Sequence, residues 1–446
     1  MTDALEPSHL FYDTHMRRPR IERAEGIYIW DTTGKRYIDG SSGPMSSNLG
    51  HGNEHVLDAM RKQMDIATFA YRLHFENEAT ENLAARVANR FPEGMEKVFF
   101  VSGGSEAVES ALKLARQWAI AIGQASRYKV ISRFPSYHGS TLGALGVTGM
   151  SVMTAPFSPM LHEMPKIAAP TCYLDNDELD HEARGLKYAN LLEEQILREG
   201  AETVLAFIME PIGGASTGAL VAPDSYYSRI REICDEYAIL LILDEVMTGA
   251  GRTGRFAGAE HWGLKSDITV LSKGLGGGYA ALGAMVADDR VVEPVIADGG
   301  FIHGHTYAGN PLACATGVAV LDELENRQLI GNAEIIGKML KTRLQGLMDK
   351  FDFIGDVRGR GLLLAFELVA DKKTMAPLPV DMNAHDRLVE IAYELGLIIY
   401  SRRTRGGRIG DHFMVCPPLI TTDQQVDEMI DLLDQSLGIF AKEINM

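Results

Sequence analysis

The chain has 446 residues, of which 46% are hydrophobic and 23% charged, and its formal net charge is −17. That length exceeds what one core usually supports, so two domains are expected. The acidic balance argues against nonspecific nucleic-acid binding, and it leaves any anionic ligand to a local cluster of donors.

Residues 1–25 carry Arg17, Arg18, Pro19 and Arg20 and read as an arm or short helix. Asp3, Glu6 and Asp13 stand where a signal peptide would need basic and then apolar residues, so the cytoplasm is expected. Gly26–Asp39 reads as two short strands around a Thr/Gly turn. Residues 41–52 form a long irregular segment of the kind that carries function in compact domains. Helical periodicity covers 54–65 and 77–91. A strand at 98–101 leads through a glycine turn into a helix ending near Ile122. Apolar strands follow at 129–132, 204–209, 240–243, 268–271 and 284–287, with helical stretches between several of them. Near-continuous apolar strands alternating with helices imply an α/β fold with a mainly parallel sheet covered on both faces. From about residue 312 a second block begins. It has a long helix over 312–350, a strand at 362–367, a helix near 384–395, a strand at 397–400 and a last helix over 422–440. The division is therefore 1–54 (arm and strands joining the small domain), 55–311 (large domain) and 312–446 (small α+β domain). No apolar run reaches membrane-spanning length. Cys172, Cys234, Cys314 and Cys416 lack metal or redox spacing and read as reduced, buried thiols.

Ligands of such sheets sit beyond the carboxyl ends of the strands, and several residues of chemical interest fall there. Ser102-Gly103-Gly104-Ser105 joins a strand to a helix start, where free N–H groups and the helix dipole suit a phosphate; a plain serine-capped turn would look similar. Tyr137 follows a strand and can stack on a planar ring; His138 beside it is an acid/base candidate or a hydrogen-bonded loop residue. Asp244 ends an apolar strand, and a buried carboxylate must be paired. A protonated pyridine nitrogen is a suitable partner, with Val246 against the ring face opposite Tyr137. Lys273, between an apolar strand and Gly274, can form a Schiff base with an aldehyde and then move a proton. His303 and His305 have no third ligand nearby, so no metal is expected. The loop from Arg402 to Arg408 supplies arginines that can fork a carboxylate.

In this order the glycine cup, Tyr137-His138-Gly139, Glu210-Pro211, Asp244-Glu245-Val246-x-Thr248-Gly249, Ser272-Lys273-Gly274 and Thr306-Tyr307-x-Gly309-x-Pro311 resemble the class III aminotransferases. These are enzymes of pyridoxal phosphate (PLP) fold type I. The similarity extends from Gly26–Asp39 to Cys416-Pro417-Pro418-Leu419. It implies a seven-stranded sheet and PLP held by Lys273 as a Schiff base. Asp244 would pair with the ring nitrogen, Tyr137 and Val246 would flank the ring, and Gly103, Gly104 and Ser105 would take the phosphate. His138 and Glu210 would stand beside the cofactor. Thr306 would reach the phosphate of the neighbouring subunit, so a homodimer, or a tetramer built from it, is implied.

Ornithine- and γ-aminobutyrate-type members carry a second Glu five residues after the Glu-Pro glutamate. Ala215 stands there in this chain, as in ω-amine:pyruvate transaminases. Those enzymes use a mobile Arg for the acceptor carboxylate, and Arg408, then Arg405, are the candidates. Met45 and Tyr71 are candidate pocket residues. The implied reaction is transfer of an amino group from a primary amine or ω-amino acid to a 2-oxo acid, with pyruvate as acceptor. The alternatives are a 2-oxoglutarate-dependent member, a decarboxylating transaminase or aminomutase on the same fold, or a PLP-binding regulator without turnover.

Overall fold

A computed structural model of the protein describes residues 9–11 and 17–444. Asp3, Glu6 and Asp13 lie outside the described residues, as does most of the expected arm.

The strands Lys97–Val101, Gly283–Ala287, Ile268–Leu271, Leu240–Asp244, Val204–Met209, Lys129–Phe134 and Lys166–Ala168 lie side by side in that order in one seven-stranded sheet. Only Gly283–Ala287 runs against its two neighbours; the other pairs are parallel. The reason is visible in Val204–Met209, where all six side chains are buried. Ala206 and Ile208 pack with Ala107, Ala111 and Leu114 of the helix Gly104–Ala121. Phe207 and Met209 pack with Leu192, Ile196, Tyr226 and Ile230 of the helices His181–Glu199 and Asp224–Glu236. Burial of each such side chain contributes about 1.5–3 kcal/mol, so a strand covered on both faces must be apolar throughout.

Two smaller sheets complete the fold. Ile354–Arg360, Leu363–Asp371, Asp411–Val415 and Tyr400–Arg403 pair antiparallel in that order, and Ala376–Pro377 adds to the second of them. Ile21–Glu25, Tyr28–Asp31 and Arg36–Asp39 form a meander whose last strand takes Leu397–Ile398 in parallel. The N-terminal strands are thus tied to the C-terminal third of the chain.

Three expectations need correction. Residues 21–25 form a strand, not an arm or helix; Arg23 pairs with Trp30 across the ladder and its guanidinium stacks on that ring at 3.5 Å. The helical pattern over 312–350 is two helices, Pro311–Asn326 and Leu329–Lys350, broken by the left-handed Gln328 at φ 52°. A single helix of that span would be roughly 58 Å long; the break lets the second helix pack against Ile354–Arg360 and the helix Asp423–Glu443. The strand expected at 397–400 is divided, because the chain leaves the meander after Ile398 and joins the antiparallel sheet at Tyr400. The strands Ile354–Arg360 and Asp411–Val415 were not among the expected elements.

Candidate active site

Three parallel strands end on one cavity of about 150 Å³. Glu210 follows Val204–Met209, Asp244 ends Leu240–Asp244, and Ser272-Lys273 follows Ile268–Leu271. The wall opposite is built by Gly104, Ser105, Tyr137, His138 and Gly139, and Gly214, Ala215, Val246 and Met247 complete the lining. Eight residues expected in the site therefore meet: Gly104, Ser105, Tyr137, His138, Glu210, Asp244, Val246 and Lys273. Gly103 caps the helix Gly104–Ala121 just outside the lining.

Lys273 is a non-glycine residue at φ 46°, in the left-handed region that costs a side-chain-bearing residue on the order of 1–3 kcal/mol. A Cβ on Gly274, next to it, would run into the Asn48 side chain and stand 3.1 Å from Ala250 Cβ, so the position takes only glycine. The amine has no hydrogen-bond partner among the described residues. Burial pushes it down to about 8, against the pull of the Asp244 charge. It is therefore far closer to a neutral amine at physiological pH than an ordinary lysine.

Asp244 is buried, and both its oxygens are engaged. Oδ1 accepts the Val246 N–H at 3.0 Å, and Oδ2 lies 2.8 Å from His138 Nδ1. Behind it, His138 Nε2 is 3.9 Å from Glu210 Oε2 and has no hydrogen-bond partner. Burial pushes the Glu210 carboxyl up, but His138 and Arg133 pull it back to a value below its ordinary one.

The glycine turn forms the expected cup. The first amides of the helix Gly104–Ala121 have no intrahelical acceptor, and they stand at the positive end of a dipole 18 residues long. Glu106 closes the turn by accepting the Ser102 N–H at 2.8 Å, and the Ser105 hydroxyl accepts the Ser140 N–H at 3.1 Å. Two glycines keep the cup open. A Cβ on Gly104 would stand 3.0 Å from Val246 Cγ1, and one on Gly139 would stand 2.7 Å from Ser105 Oγ. A partnerless, half-buried amine, an anionic strand end and an amide cup on one small cavity fit an aldehyde, a pyridine nitrogen and a phosphate ester, which are the three functional groups of PLP.

Other expected residues lie elsewhere in the protomer. Met45 is buried in a cluster with Ile212 and Ala219, on which Ala215 and Met247 of the cavity wall pack. Tyr71 is on the surface, its ring edge-on to His74. Arg405 donates to the Met375 carbonyl at 3.3 Å, and Arg408 is exposed and donates to Ser151 Oγ at 3.1 Å. Thr306 is exposed on the segment 301–310. The reading from sequence omitted Met247 and Ser272 from the lining, and Arg133, which binds Glu210 from behind. Arg133 did carry a signal: a charged residue inside the apolar run Val130-Ile131-Ser132-Arg133-Phe134 must find a buried partner.

The chain is similar over nearly its whole length to known aminotransferases. The family described as Aminotransferase class-III matches residues 12–437. An uncharacterized aminotransferase of Bacillus subtilis is 38% identical over 428 residues, covering 96% of each chain. The putrescine–pyruvate aminotransferase of Pseudomonas aeruginosa is 36% identical, covering 94% of this chain and 90% of its own. The crystal structure of a thermostable (S)-enantioselective omega-transaminase from Thermomicrobium roseum superimposes with a TM-score of 0.90 at 35% identity, covering 97% and 96% of the two chains.

Proposed function

The chain belongs to the class III aminotransferases, a PLP-dependent family acting on small amines and 2-oxo acids, and from that premise we propose that it aminates pyruvate from a primary amine or ω-amino acid. The observation that carries the site assignment is the amine of Lys273 and the carboxylate of Asp244 on one cavity with the amide cup. When bound, PLP supplies an aldehyde that accepts the amino group and a ring that stores the electron pair released at the substrate carbon. Lys273 would form the covalent link and, once displaced by substrate, would move the proton at the substrate carbon. Asp244, braced by Val246 and His138, would keep the ring nitrogen protonated. Tyr137 and Val246 would flank the ring, and Gly103, Gly104 and Ser105 would take the phosphate. The donor leaves as a carbonyl product before the acceptor enters, so the two half-reactions are separable.

Ala215 supports pyruvate as the acceptor, because the cavity lining has no carboxylate at that position to hold an arginine away from a small acid. The similarity to a putrescine–pyruvate enzyme points the same way. Arg408, exposed with Ser151 as its hydrogen-bond acceptor, is our assignment for the acceptor carboxylate. In a stopped-flow half-reaction, the aminated cofactor form is expected to be reoxidised faster by pyruvate than by 2-oxoglutarate. The reverse order would remove the pyruvate assignment and leave the aminotransferase reading in place.

The same reading takes the enzyme as a cytoplasmic homodimer with 1–54 and 312–446 forming one small domain around the large one. An exposed apolar patch supports the dimer. Leu73 and Phe75 are 74% and 71% exposed, and Ile302 is 79% exposed. The two segments adjoin, with Arg72 donating to the His303 carbonyl at 3.0 Å. Thr306 is exposed four residues along the chain from Ile302, as a residue serving a partner's phosphate should be. Sedimentation is expected to give twice the chain mass, and a monomer at micromolar concentration would refute the shared site. The four cysteines are free and buried, in keeping with a reducing compartment.

A further inference from the structure

Arg133 lies inside the strand Lys129–Phe134 and is only 3% exposed. A guanidinium buried to that degree is costly unless charge and hydrogen bonds match it. Its match is Glu210, at the end of the neighbouring parallel strand. One terminal nitrogen of Arg133 donates to Glu210 Oε2 at 2.9 Å and to the Glu210 carbonyl at 2.6 Å. Arg133 does not reach the cavity, but Glu210 does. From there Glu210 acts in two directions. Its Oε1 accepts the Tyr137 N–H at 3.1 Å, which fixes the backbone of the residue forming one wall. Its Oε2 lies 3.9 Å from the partnerless Nε2 of His138, whose other ring nitrogen meets Asp244.

The groups facing this carboxylate are few. They are Arg133, His138 and the Ser216 hydroxyl at 3.5 Å. The buried phenol of Tyr226 faces both Glu210 and the Arg133 guanidinium, and that of Tyr227 faces Arg133. Arg133 is the only one of these that carries a permanent positive charge.

Building on the assignment of this cavity to PLP, we propose that Arg133 is a positioning residue. By neutralising Glu210 inside the protein it holds Tyr137 and His138 in place, and through His138 it orients Asp244 toward the ring nitrogen. A residue that merely filled space would have been served by an apolar side chain. A carboxylate that had to stay ionised between a backbone N–H and an imidazole required a fixed cation behind it.

Two readouts test this. The first uses the cofactor-free chain. In Arg133→Met, burial acts on Glu210 without its guanidinium, so the carboxyl binds a proton more readily in the folded than in the unfolded state. That variant loses stability as pH rises through the raised value, whereas the wild type keeps Glu210 ionised. The gap in melting temperature is therefore expected to widen between about pH 4 and 8. In Arg133→Met/Glu210→Gln no charge is left to titrate, and the pH dependence of the gap disappears. This double variant also serves if Arg133→Met alone does not fold. The second readout is PLP binding. Arg133→Met is expected to raise the dissociation constant about tenfold, as loss of outer partners does at metal sites. It should also displace the pH midpoint of the bound cofactor's absorbance, and Arg133→Lys should restore part of both. A pH-independent gap with unchanged PLP affinity and midpoint would overturn the proposal. If the wild type itself takes up no PLP, the cavity assignment fails and this proposal falls with it, while the cofactor-free titration still reports separately on the Arg133–Glu210 pair.

Discussion

Lys273→Ala is expected to fold, to bind PLP only noncovalently, and to lose at least about 10³-fold in steady-state turnover. Two roles vanish together: the covalent link and the proton transfer, and the second alone is typically worth about 10²–10⁴-fold. The fold should survive because the lysine stabilises little. Its backbone is strained at φ 46°, its amine has no hydrogen bond, and burial holds the amine at about 8 rather than in the ordinary lysine range. That shift also has a sign for stability. A lysine whose folded value lies below its unfolded one binds fewer protons when folded, so it weakens the cofactor-free chain most below about pH 8. The penalty fades as pH rises from about 8 toward 10.5. Lys273→Ala should therefore melt higher than the cofactor-free wild type at neutral pH, with an advantage that shrinks through that window. Rapid mixing of donor amine with the PLP-loaded variant supplies the kinetic check. A half-reaction within about tenfold of wild type would remove Lys273 from the chemistry.

The site was legible because its parts sit at strand ends, where a polar residue interrupts an apolar run. Asp244 after Leu240-Leu241-Ile242-Leu243 and Lys273 after Ile268–Leu271 stand out for that reason, and the sheet's parallel order brings them together. Val204–Met209 was legible to the residue because both its faces are buried. Elements whose pattern depends on a distant partner were not. Ile21–Glu25 has no buried side chain and becomes a strand through its ladder with Tyr28–Asp31. The break at Gln328 leaves no glycine or proline behind, so periodicity alone runs through it. Tyr71, Thr306, Arg405 and Arg408 stand on segments between the regular elements, where periodicity carries no information about placement. Arg133 was overlooked for a different reason. A charge inside an apolar run signals a buried partner, but the partner, Glu210, lies 77 residues away and is brought to it only by the sheet order.

Asp244→Asn is expected to slow the amine half-reaction by about 10²–10³-fold, the range for removing one preorganised electrostatic partner. The substitution keeps the shape of the side chain. The amide oxygen can still accept the Val246 N–H that now lies at 3.0 Å, so the strand end should keep its conformation. What disappears is the charge. A neutral amide cannot hold a proton on the ring nitrogen, and it presents His138 with a dipole in place of an anion. It also withdraws the one carboxylate that raises the Lys273 amine against burial, so that amine should fall further below its present value. The substitution therefore makes the lysine more often neutral at physiological pH while removing the ring's counter-charge. If the neutral lysine were the limiting feature, Asp244→Asn would be faster than wild type; if the ring's counter-charge dominates, it is slower despite the better nucleophile. The expectation is the second, since the electron pair left at the substrate carbon when its proton is removed would have to be accommodated by the ring. A variant retaining wild-type half-reaction rates with PLP bound would show that Asp244 is a structural strand cap, and the ring nitrogen would have to be held by another group.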